Sequence, residues 1–449
     1  MLADAIGHYH KLLSHGALAC DSHDQLERLT RLRHLYFGDR PVCTVLRPRF
    51  LEPKQFRFLQ NCLRTLLPAF QRVYDLALAD GRFRRQFGLL DWEEKLLGID
   101  PGFENPSPTA RFDSFFASEQ AFKFTEYNAE TPAGTAYHDV LSEIFYSLPV
   151  MQEFSRRYQL RPLPARPGVL HALLESYRQF LGRRERPNIA ILDWKEVPTY
   201  SEFRLFDEYF RQNGLESRIV DPRDVEFREG KLVAGEYRID LIYKRVLVSE
   251  LYERGGLNHP VIQALRDRAV CMVNGFRCKI LYKKASFAVL SDEENARLFT
   301  TEQQRAIAKY IPWTRRVEER KTTIAGQAVD LIPHVIANRD TLVLKPNDDY
   351  GGKGIVLGWT VDSSTWETAV RKALAEPYIV QERVNLPREV FPSYEAGRLQ
   401  LIERMLDTNP FVGFGATMDG CLTRISTEAL LNVTAGGGST VPTFVVEDR

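Results

Sequence analysis

The stretch LVLKPNDDYGGKGIVLGW (Leu342–Trp359) places a lysine at the end of an apolar strand and a glycine-rich basic loop directly after it. Lys345 would leave the strand end to meet phosphate oxygens, and backbone N–H groups in the loop could approach the same oxygens where side chains are absent. The loop residues in these roles are Gly351, Gly352, Lys353 and Gly354. The GxxxxGK[ST] order of a Walker loop is absent. A β-hairpin with a glycine-rich turn is the alternative.

Two polar pairs mark a second region, in which ARFDSFFAS and AFKFTEYNAETPAG are predicted to form a hairpin. Arg111 and Asp113 lie two apart on the first strand. Glu126 and Asn128 lie two apart on the second. Alternation puts each pair on one face, so the hairpin can present an Arg, two carboxylates and an amide at one place. Such oxygen ligands suit Mg²⁺ with a bound triphosphate. A solvated strand face with an ordinary Arg–Asp pair is the alternative.

Two more segments have groups that could contact a nucleotide. If YIVQERV (Tyr378–Val384) lies beside the lysine loop, backbone groups near Gln381 and Glu382 could bind an adenine edge; otherwise it is a strand end. In LTRISTEALLNVTAGGGSTVP (Leu422–Pro442), Arg424 lies on a strand before a triple glycine with nearby hydroxyls. That loop could form an anion nest near a transferred phosphate, and a plain glycine-rich turn is the alternative.

Regular elements must hold these groups in place. Residues 55–80 have apolar side chains at three-and-four spacing, which predicts an amphipathic helix with Pro68 as a kink, preceded by the strand-like run VCTVLRPRF. Helix is also predicted from about Tyr137 to Leu181 and again up to Pro312. Beyond Pro312 the chain alternates short strands with glycine turns.

The middle of the chain has the pattern of an α/β domain. A strand at 188–194, a helix at 201–214 and a strand at 216–221 form a βαβ unit of suitable length. The segment FREGKLVAGEYRIDLIYKRV predicts a β-hairpin that leads into a buried strand. We therefore predict three parts, with boundaries at 1–185, 186–290 and 291–449, because GRRERPN (182–188) separates the first two.

Composition is that of an ordinary globular protein, with 44% hydrophobic and 27% charged residues. Sixty basic and fifty-nine acidic residues leave a net charge of +1, so no nucleic acid or membrane surface is expected as a partner. The N-terminus lacks the uninterrupted apolar core of a signal peptide, and no run approaches membrane-helix length. Six dispersed cysteines without metal spacing predict reduced, buried thiols in a cytoplasmic protein.

These motifs, in this order, resemble the circularly permuted ATP-grasp proteins, the group that contains glutathionylspermidine synthetase and eukaryotic glutathione synthetase. RFD, EYN with AETP, KPNDDYGGKGIVLG, YIVQERV, GCLTRIS and NVTAGGGS carry the resemblance, which extends over most of residues 105–449 and is weakest in 1–100. It implies an α/β (α+β) fold of the ATP-grasp type. Residues 1–185 would hold a helical region and the metal-binding half, 186–290 a Rossmann-like pre-ATP-grasp substrate domain, and 291–449 the half with the lysine loop and adenine hinge.

The resemblance also implies roles for individual residues. Asp113, Glu126 and Asn128 would be Mg²⁺ ligands with Asp349 as another, and Arg111 a cation for the phosphate or transition state. Lys345 and the loop Gly351–Gly354 would bind ATP phosphates. The second ATP lysine would be Lys284, or Lys283 beside it. The acceptor and donor pockets would involve the α/β domain, where Arg245, on the strand DLIYKRV, and the loop after Asp193 could contact a carboxylate. Arg245 could equally serve as a structural ion-pair partner.

The implied activity is an ATP-dependent carboxylate–amine ligase that forms an amide through an acyl phosphate. An ATP-binding scaffold without turnover and a small-molecule kinase are the alternatives. Two departures from the family pattern stand out. No amidase-like cysteine domain precedes the synthetase motifs. Where many relatives have an arginine, DTNPF has Asn409, so that charge would come from Arg404 or Arg424, or substrate handling differs.

Overall fold

A computed structural model describes residues 1–324, 326–349, 351–428 and 438–449. The helices are α1 (Leu2–Leu13), α2 (Gly16–Leu32), α3 (Pro53–Ala79), α4 (Gly81–Arg84), α5 (Asp91–Leu97), α6 (Thr135–Ser147), α7 (Pro149–Phe154), α8 (Arg166–Leu181), α9 (Tyr200–Gln212), α10 (Val248–Gly255), α11 (Pro260–Arg266), α12 (Lys279–Tyr282), α13 (Ala285–Ser291), α14 (Thr301–Tyr310), α15 (Leu331–Ala337) and α16 (Ser363–Ala375).

Most strands lie between these helices, and the last seven follow α16. They are β1 (Tyr36–Phe37), β2 (Arg40–Pro41), β3 (Arg49–Leu51), β4 (Thr109–Phe116), β5 (Phe122–Asn128), β6 (Tyr158–Pro162), β7 (Ile189–Leu192), β8 (Ser217–Val220), β9 (Glu226–Arg228), β10 (Lys231–Ala234), β11 (Tyr237–Ile239), β12 (Leu241–Lys244), β13 (Cys271–Val273), β14 (Thr314–Arg316), β15 (Lys321–Ile324), β16 (Gln327–Asp330), β17 (Leu342–Pro346), β18 (Val356–Leu357), β19 (Tyr378–Glu382), β20 (Arg388–Glu395), β21 (Arg398–Leu406), β22 (Asn409–Gly413), β23 (Thr417–Ser426), β24 (Ser439–Val441) and β25 (Thr443–Asp448).

The middle of the chain forms a parallel sheet in the order β13-β12-β7-β8, which confirms the predicted βαβ unit and the buried strand after the hairpin. Both faces of this sheet are covered. Ile189, Ile191 and Tyr243 pack into one core with α9, while Ala190 and Ile242 pack into another with α10 and α11. Burial on both faces explains the unbroken apolar runs in these strands.

The predicted hairpin is β4 and β5, and it belongs to a larger antiparallel sheet ordered β20-β21-β23-β22-β4-β5, with β24 on β23. β22 pairs with β4, so strands from the last part of the chain extend the hairpin. This pairing crosses the predicted boundaries at 185 and 290; the three-part division stays a prediction. A separate sheet, β14-β19-β17-β18, carries the lysine loop between β17 and β18.

Helix α3 supports the hairpin from behind and confirms the predicted amphipathic helix. Gln55 Oε1 accepts from Glu52 N at 2.8 Å at its N-terminus, and the helix continues through Pro68. Phe70 packs against Phe112 and Tyr127, with ring centroids 5.4 and 5.0 Å away. The apolar face of the hairpin is thus buried, which leaves its polar face for the site.

The region 137–181 differs from the continuous helical prediction. α6, α7 and α8 account for most of it, but β6 intervenes and pairs with β25 near the end of the chain. A local sequence pattern does not specify so distant a strand partner. Within the described residues, no helix is both long enough and apolar enough to cross a membrane. The six cysteines are free thiols, and all but Cys20 are buried.

Candidate active site

The polar face of the hairpin presents the four predicted side chains together. In the β4–β5 register Arg111 is opposite Asn128, and Asp113 is opposite Glu126. Asn128 Nδ2 donates to Asp113 Oδ1 at 3.0 Å. The side chain between the two polar residues of β4, Phe112, faces the core instead. The period-two prediction for this hairpin is therefore confirmed.

Asp113 lies between two guanidinium groups. Arg111 Nε donates to Asp113 Oδ1 at 2.7 Å, and Arg424 Nη2 donates to Oδ2 at 2.6 Å. Although burial would raise it, these two cations hold the pKa of Asp113 at about 2. Asp407 accepts from Arg424 Nε at 2.6 Å and so fixes its orientation. Asp113 is therefore an ionised anchor for two positive charges.

Lys345 reaches the same hairpin from the lysine-loop sheet. Its Nζ lies 2.7 Å from Gln381 Oε1 and 3.4 Å from the backbone oxygen of Thr125, which precedes Glu126. Burial lowers the pKa of Lys345 to about 8, and the nearby carboxylate of Glu126 opposes that shift. An early acidic hairpin and a late basic strand end thus meet.

Lys284 is the second lysine at this junction. Its Nζ lies 3.0 Å from Glu126 Oε1 and donates to the backbone oxygen of Asp349 at 2.6 Å. Lys283 points elsewhere, because it pairs with Glu93 at 2.7 Å and with Asp348 at 2.5 Å. Of the two predicted candidates, Lys284 is the one beside the hairpin.

The glycines of the lysine loop adopt backbone conformations that other residues avoid. Gly351, Gly352 and Gly354 have φ values of 68°, 76° and 69°. A Cβ at Gly354 would also lie 2.7 Å from Pro346 Cγ. Lys353 is exposed between them, and Tyr350 lies outside the described residues. The backbone conformation therefore requires the glycines that the sequence supplies.

The predicted adenine hinge lies next to Lys345 but presents different groups. The side chain of Gln381 holds Lys345, and its Nε2 donates to Thr314 Oγ1 at 3.0 Å. The backbone N–H of Glu382 donates to Trp313 O at 2.8 Å. The N–H of Glu382 therefore has a partner within the protein. The apolar side chains of Ile355, Leu357 and Trp359 line the cleft beside this strand.

A single cleft of about 460 Å³ joins these groups. The predicted site residues that line it are Arg111, Asp113, Glu126, Asn128, Arg245, Lys345, Gly351, Gly352, Gln381, Glu382 and Arg424. Lys284 borders it through Glu126. Asp349, Lys353 and Gly354 are not among the lining residues. Residues 429–437, which include most of the predicted triple-glycine nest, lie outside the described residues.

The other end of the cleft is built on the parallel sheet. β7 connects to β8 on one side and β12 pairs with β7 on the other, so the strand order reverses between β7 and β12. Asp193 and Arg245 follow these two strands directly, and both line the cleft. Ligands of open α/β sheets bind in such a crevice at the carboxyl ends of the strands.

The model of the family described as circularly permuted ATP-grasp type 2 matches residues 90–426. The chain belongs to this family. Its ATP-grasp fold places the acidic hairpin and the lysine loop around one cleft, as the resemblance implied. The family is one of ATP-dependent ligases.

Two curated relatives, both named "Putative glutamate–cysteine ligase", match the ATP-grasp chain. Number 2-2 from Frankia casuarinae is 26% identical over 330 residues, which is 70% of this chain and 36% of the relative. Number 2-3 from Frankia alni is 26% identical over 348 residues, 74% of this chain and 38% of the relative. The chain thus spans little more than a third of the length of these relatives.

A solved structure has the same overall fold. The apo form of a glutathione synthetase-like effector from Globodera pallida aligns with a TM-score of 0.57 and 10% identity, covering 96% of each chain. At that identity the likeness concerns the fold alone.

The side chains of the hairpin supply only part of the ligand set that Mg²⁺ needs. Asp113, Glu126 and Asn128 offer the oxygen donors that this ion prefers. However, both oxygens of Asp113 contact guanidinium groups, and Glu126 pairs with Lys284. Among the described residues, no group of three or more His, Cys, Asp or Glu side chains could hold a metal. The protein ligands therefore fit an ion that also takes phosphate or water oxygens.

The departure at DTNPF now has a geometric account. Asn409 Oδ1 accepts from the backbone N–H of Ser114 at 3.0 Å, which joins β22 to β4. Arg404 donates to Ser393 Oγ at 3.1 Å and does not line the cleft, whereas Arg424 does. Of the two arginines considered, Arg424 is the one placed at the ATP-grasp cleft.

Sequence reasoning missed Asp348, and it indicated the loop after Asp193 but not Asp193 itself. Asp348 accepts hydrogen bonds from Lys279 and Lys283, and no local pattern singles it out from the aspartate beside it in KPNDDYGG. Asp193 could have been found, because it ends the first strand of the predicted βαβ unit, where ligand-binding residues concentrate. Burial raises the pKa of Asp193 to about 7.

Proposed function

We propose that this chain is an ATP-dependent carboxylate–amine ligase, which forms an amide or peptide bond through an acyl phosphate. The observation that carries the proposal is the contact of Lys345 with the hairpin at Thr125, because it brings a phosphate-binding lysine against the acidic and guanidinium groups of β4 and β5. Family membership supports an ATP-dependent ligase.

The cations supply what phosphoryl transfer requires. Charge develops on the transferred phosphoryl group, and fixed positive groups stabilise it without reorganising. Arg111 and Arg424 are held by the ionised Asp113, while Lys284 pairs with Glu126, whose charge also acts on Lys345. We assign Arg111 and Arg424 to the transferred phosphate, and Lys345 and Lys284 to the rest of the triphosphate.

Glu126 and Asn128 are the best-placed residues to hold Mg²⁺, with Asp113 and Asp349 as further ligands. When bound, the ion would neutralise phosphate charge. Glu126 would exchange its contact with Lys284 for the metal, which releases the Lys284 ammonium towards phosphate oxygens. The glycine-rich part of the lysine loop, with its backbone N–H groups, would cover the phosphates and exclude water from the activated acyl group.

The acceptor and donor would bind at the end of the cleft built on the parallel sheet. Arg245 has ion-pair contact with Glu202 at 3.4 Å, and its side chain also lines the cleft beside Asp193. A guanidinium next to an acid suits substrates with both a carboxylate and an ammonium group. The names of the Frankia relatives refer to glutamate and cysteine, which are substrates of this kind.

ADP release measured against matched substrate sets tests the proposal. Amino acids, short peptides and polyamines should be supplied in pairs and singly, with product mass determined for each. A ligase sustains ADP release over many turnovers only when a carboxylate and an amine are both present, and it yields their amide. MgATP binding with no ADP in any combination would instead indicate a scaffold, and a stable phosphorylated product without amine would indicate a kinase.

A further inference from the structure

Six charged side chains form a cluster outside the cleft, at the base of the lysine loop. We call it the lysine–carboxylate cluster, and its members are Glu93, Glu130, Lys244, Lys279, Lys283 and Asp348. Its three lysines balance its three carboxylates. All members are buried except Asp348, whose side chain is 19% exposed. Nothing in the proposed chemistry uses this cluster.

Only one member comes from the lysine-loop sheet. Asp348 accepts from Lys279 Nζ at 2.7 and 2.8 Å and from Lys283 Nζ at 2.5 Å. The others come from α5, from the segment after β5, from the end of β12 and from α12. Asp348 therefore joins the first residues of the lysine loop, Asn347 and Asp348, to the rest of the molecule. We call these two residues the root of the loop.

Neighbouring contacts hold the same root in place. The backbone oxygen of Asn347 accepts from Lys284 N at 3.0 Å, and Asn347 Oδ1 accepts from Ala285 N at 2.9 Å. Lys284 in turn contacts Asp349 and Glu126. The segment that carries one proposed ATP lysine is thus attached to the loop that follows the other, Lys345.

The cluster also reaches the substrate end of the cleft. Glu130 makes this connection, because it contacts both Lys279 at 3.2 Å and Lys244 at 3.4 Å. Lys244 ends β12, directly before Arg245. Glu130 Oε1 also accepts from the N–H of Val248 at 2.6 Å, where α10 begins. The loop root, the hairpin and the crevice of the parallel sheet are therefore joined by one set of ion pairs.

We propose that Asp348 is a positioning residue that fixes the root of the lysine loop relative to the hairpin and the substrate crevice. Its departure would leave three buried lysines with two carboxylates, so the root cannot move without a large electrostatic penalty. The positioning role for ATP rests on the proposed function, while the fixing of the root does not.

Asp348→Asn tests the inference with hydrogen exchange on the full chain without nucleotide. Amide exchange in peptides covering 342–349 and 279–286 should accelerate by at least about tenfold, since local opening governs exchange. Peptides from α9 should be unchanged. Asp340→Asn is the matched control, because Asp340 is an exposed aspartate shortly before β17 and its ion pair with Arg339 lies outside the cluster. Exchange at the wild-type rate in a folded Asp348→Asn chain would overturn the inference.

A double variant separates positioning from charge balance. Asp348→Asn with Lys283→Gln leaves two lysines with two carboxylates, so thermal stability should recover even if the single variant folds poorly. If Asp348 positions the loop, amide exchange at 342–349 should stay fast in this double variant. In both the single and the double variant, kcat/KM for ATP should then be on the order of 100-fold below the wild-type value, the size expected for misplaced reacting groups. Recovery of both would show that only charge balance matters. Fast exchange in a chain that never hydrolyses ATP would leave the fixing of the root standing and remove the proposed function alone.

Discussion

Arg424 Nη2 and Asp113 Oδ2 are 2.6 Å apart, although 311 positions separate the two residues in the chain. β23, β22 and β4 are adjacent in one sheet, which makes this contact possible. The second guanidinium on Asp113 therefore comes from a strand far from the hairpin in sequence.

The first prediction concerns that guanidinium. Arg424→Gln should lower kcat by about 10²- to 10³-fold, as expected for a lost group that stabilises transition-state charge. Arg404→Gln is the matched control, because Arg404 was the other candidate and lies away from the cleft. Single-turnover rates in chains of equal thermal stability would check this. Equal losses in both variants would contradict the assignment.

Lys345→Met should abolish nucleotide binding or turnover, with a loss of at least about 100-fold in kcat/KM for ATP. Methionine keeps an unbranched apolar stem but removes the ammonium beside Thr125. Lys353→Met removes an exposed charge from the same loop and should have a smaller effect. Isothermal titration with a non-hydrolysable ATP analogue would measure both, and wild-type affinity in Lys345→Met would exclude the site.

Glu126→Gln should sharply weaken the binding of the Mg²⁺ on which activity depends. Even an outer-shell partner of a metal contributes about 10- to 100-fold to its affinity, so loss of a direct carboxylate should raise half-saturating Mg²⁺ by at least that factor. Glu119→Gln, at the turn of the same hairpin, is the control. A Mg²⁺ titration of turnover at saturating ATP gives the comparison. Overlapping curves for the two variants would mean that Glu126 is not a ligand.

Activity should have a narrow pH window. The ammonium of Lys345, whose pKa is about 8, binds phosphate only when protonated, so kcat/KM for ATP should fall as pH rises through about 8.

Asp193, whose pKa is about 7, would attract an ammonium group only when ionised, so the amine KM should rise as pH falls through about 7. Asp193→Asn should remove the acidic limb alone. In Glu126→Gln the alkaline limb should shift to lower pH, because Glu126 raises the pKa of Lys345.

Local patterns were enough to predict the hairpin, α3, the βαβ unit and the strand that ends in Lys345. Alternation in ARFDSF and EYN also predicted which side chains share a face. These features depend on neighbours a few residues away, which a sequence displays directly.

What could not be predicted depends on distant partners. β6 lies in a stretch predicted as helix, because its partner β25 is near the chain end. The different partners of Lys283 and Lys284 depend on which of these two lysines faces Glu93 and which faces Glu126. Successive residues of the same type differ only in that three-dimensional setting.

The crevice between β7 and β12 has a consequence for how such proteins diversify. The residues that we propose to contact the triphosphate belong largely to antiparallel sheets, whereas Asp193 and Arg245 follow two parallel strands. Related proteins could therefore change the segments after β7 and β12, and with them the substrate that is bound there, while the proposed nucleotide site is kept. In such a lineage, the chemistry would be ancestral and the choice of molecules to be joined would be the part that evolves.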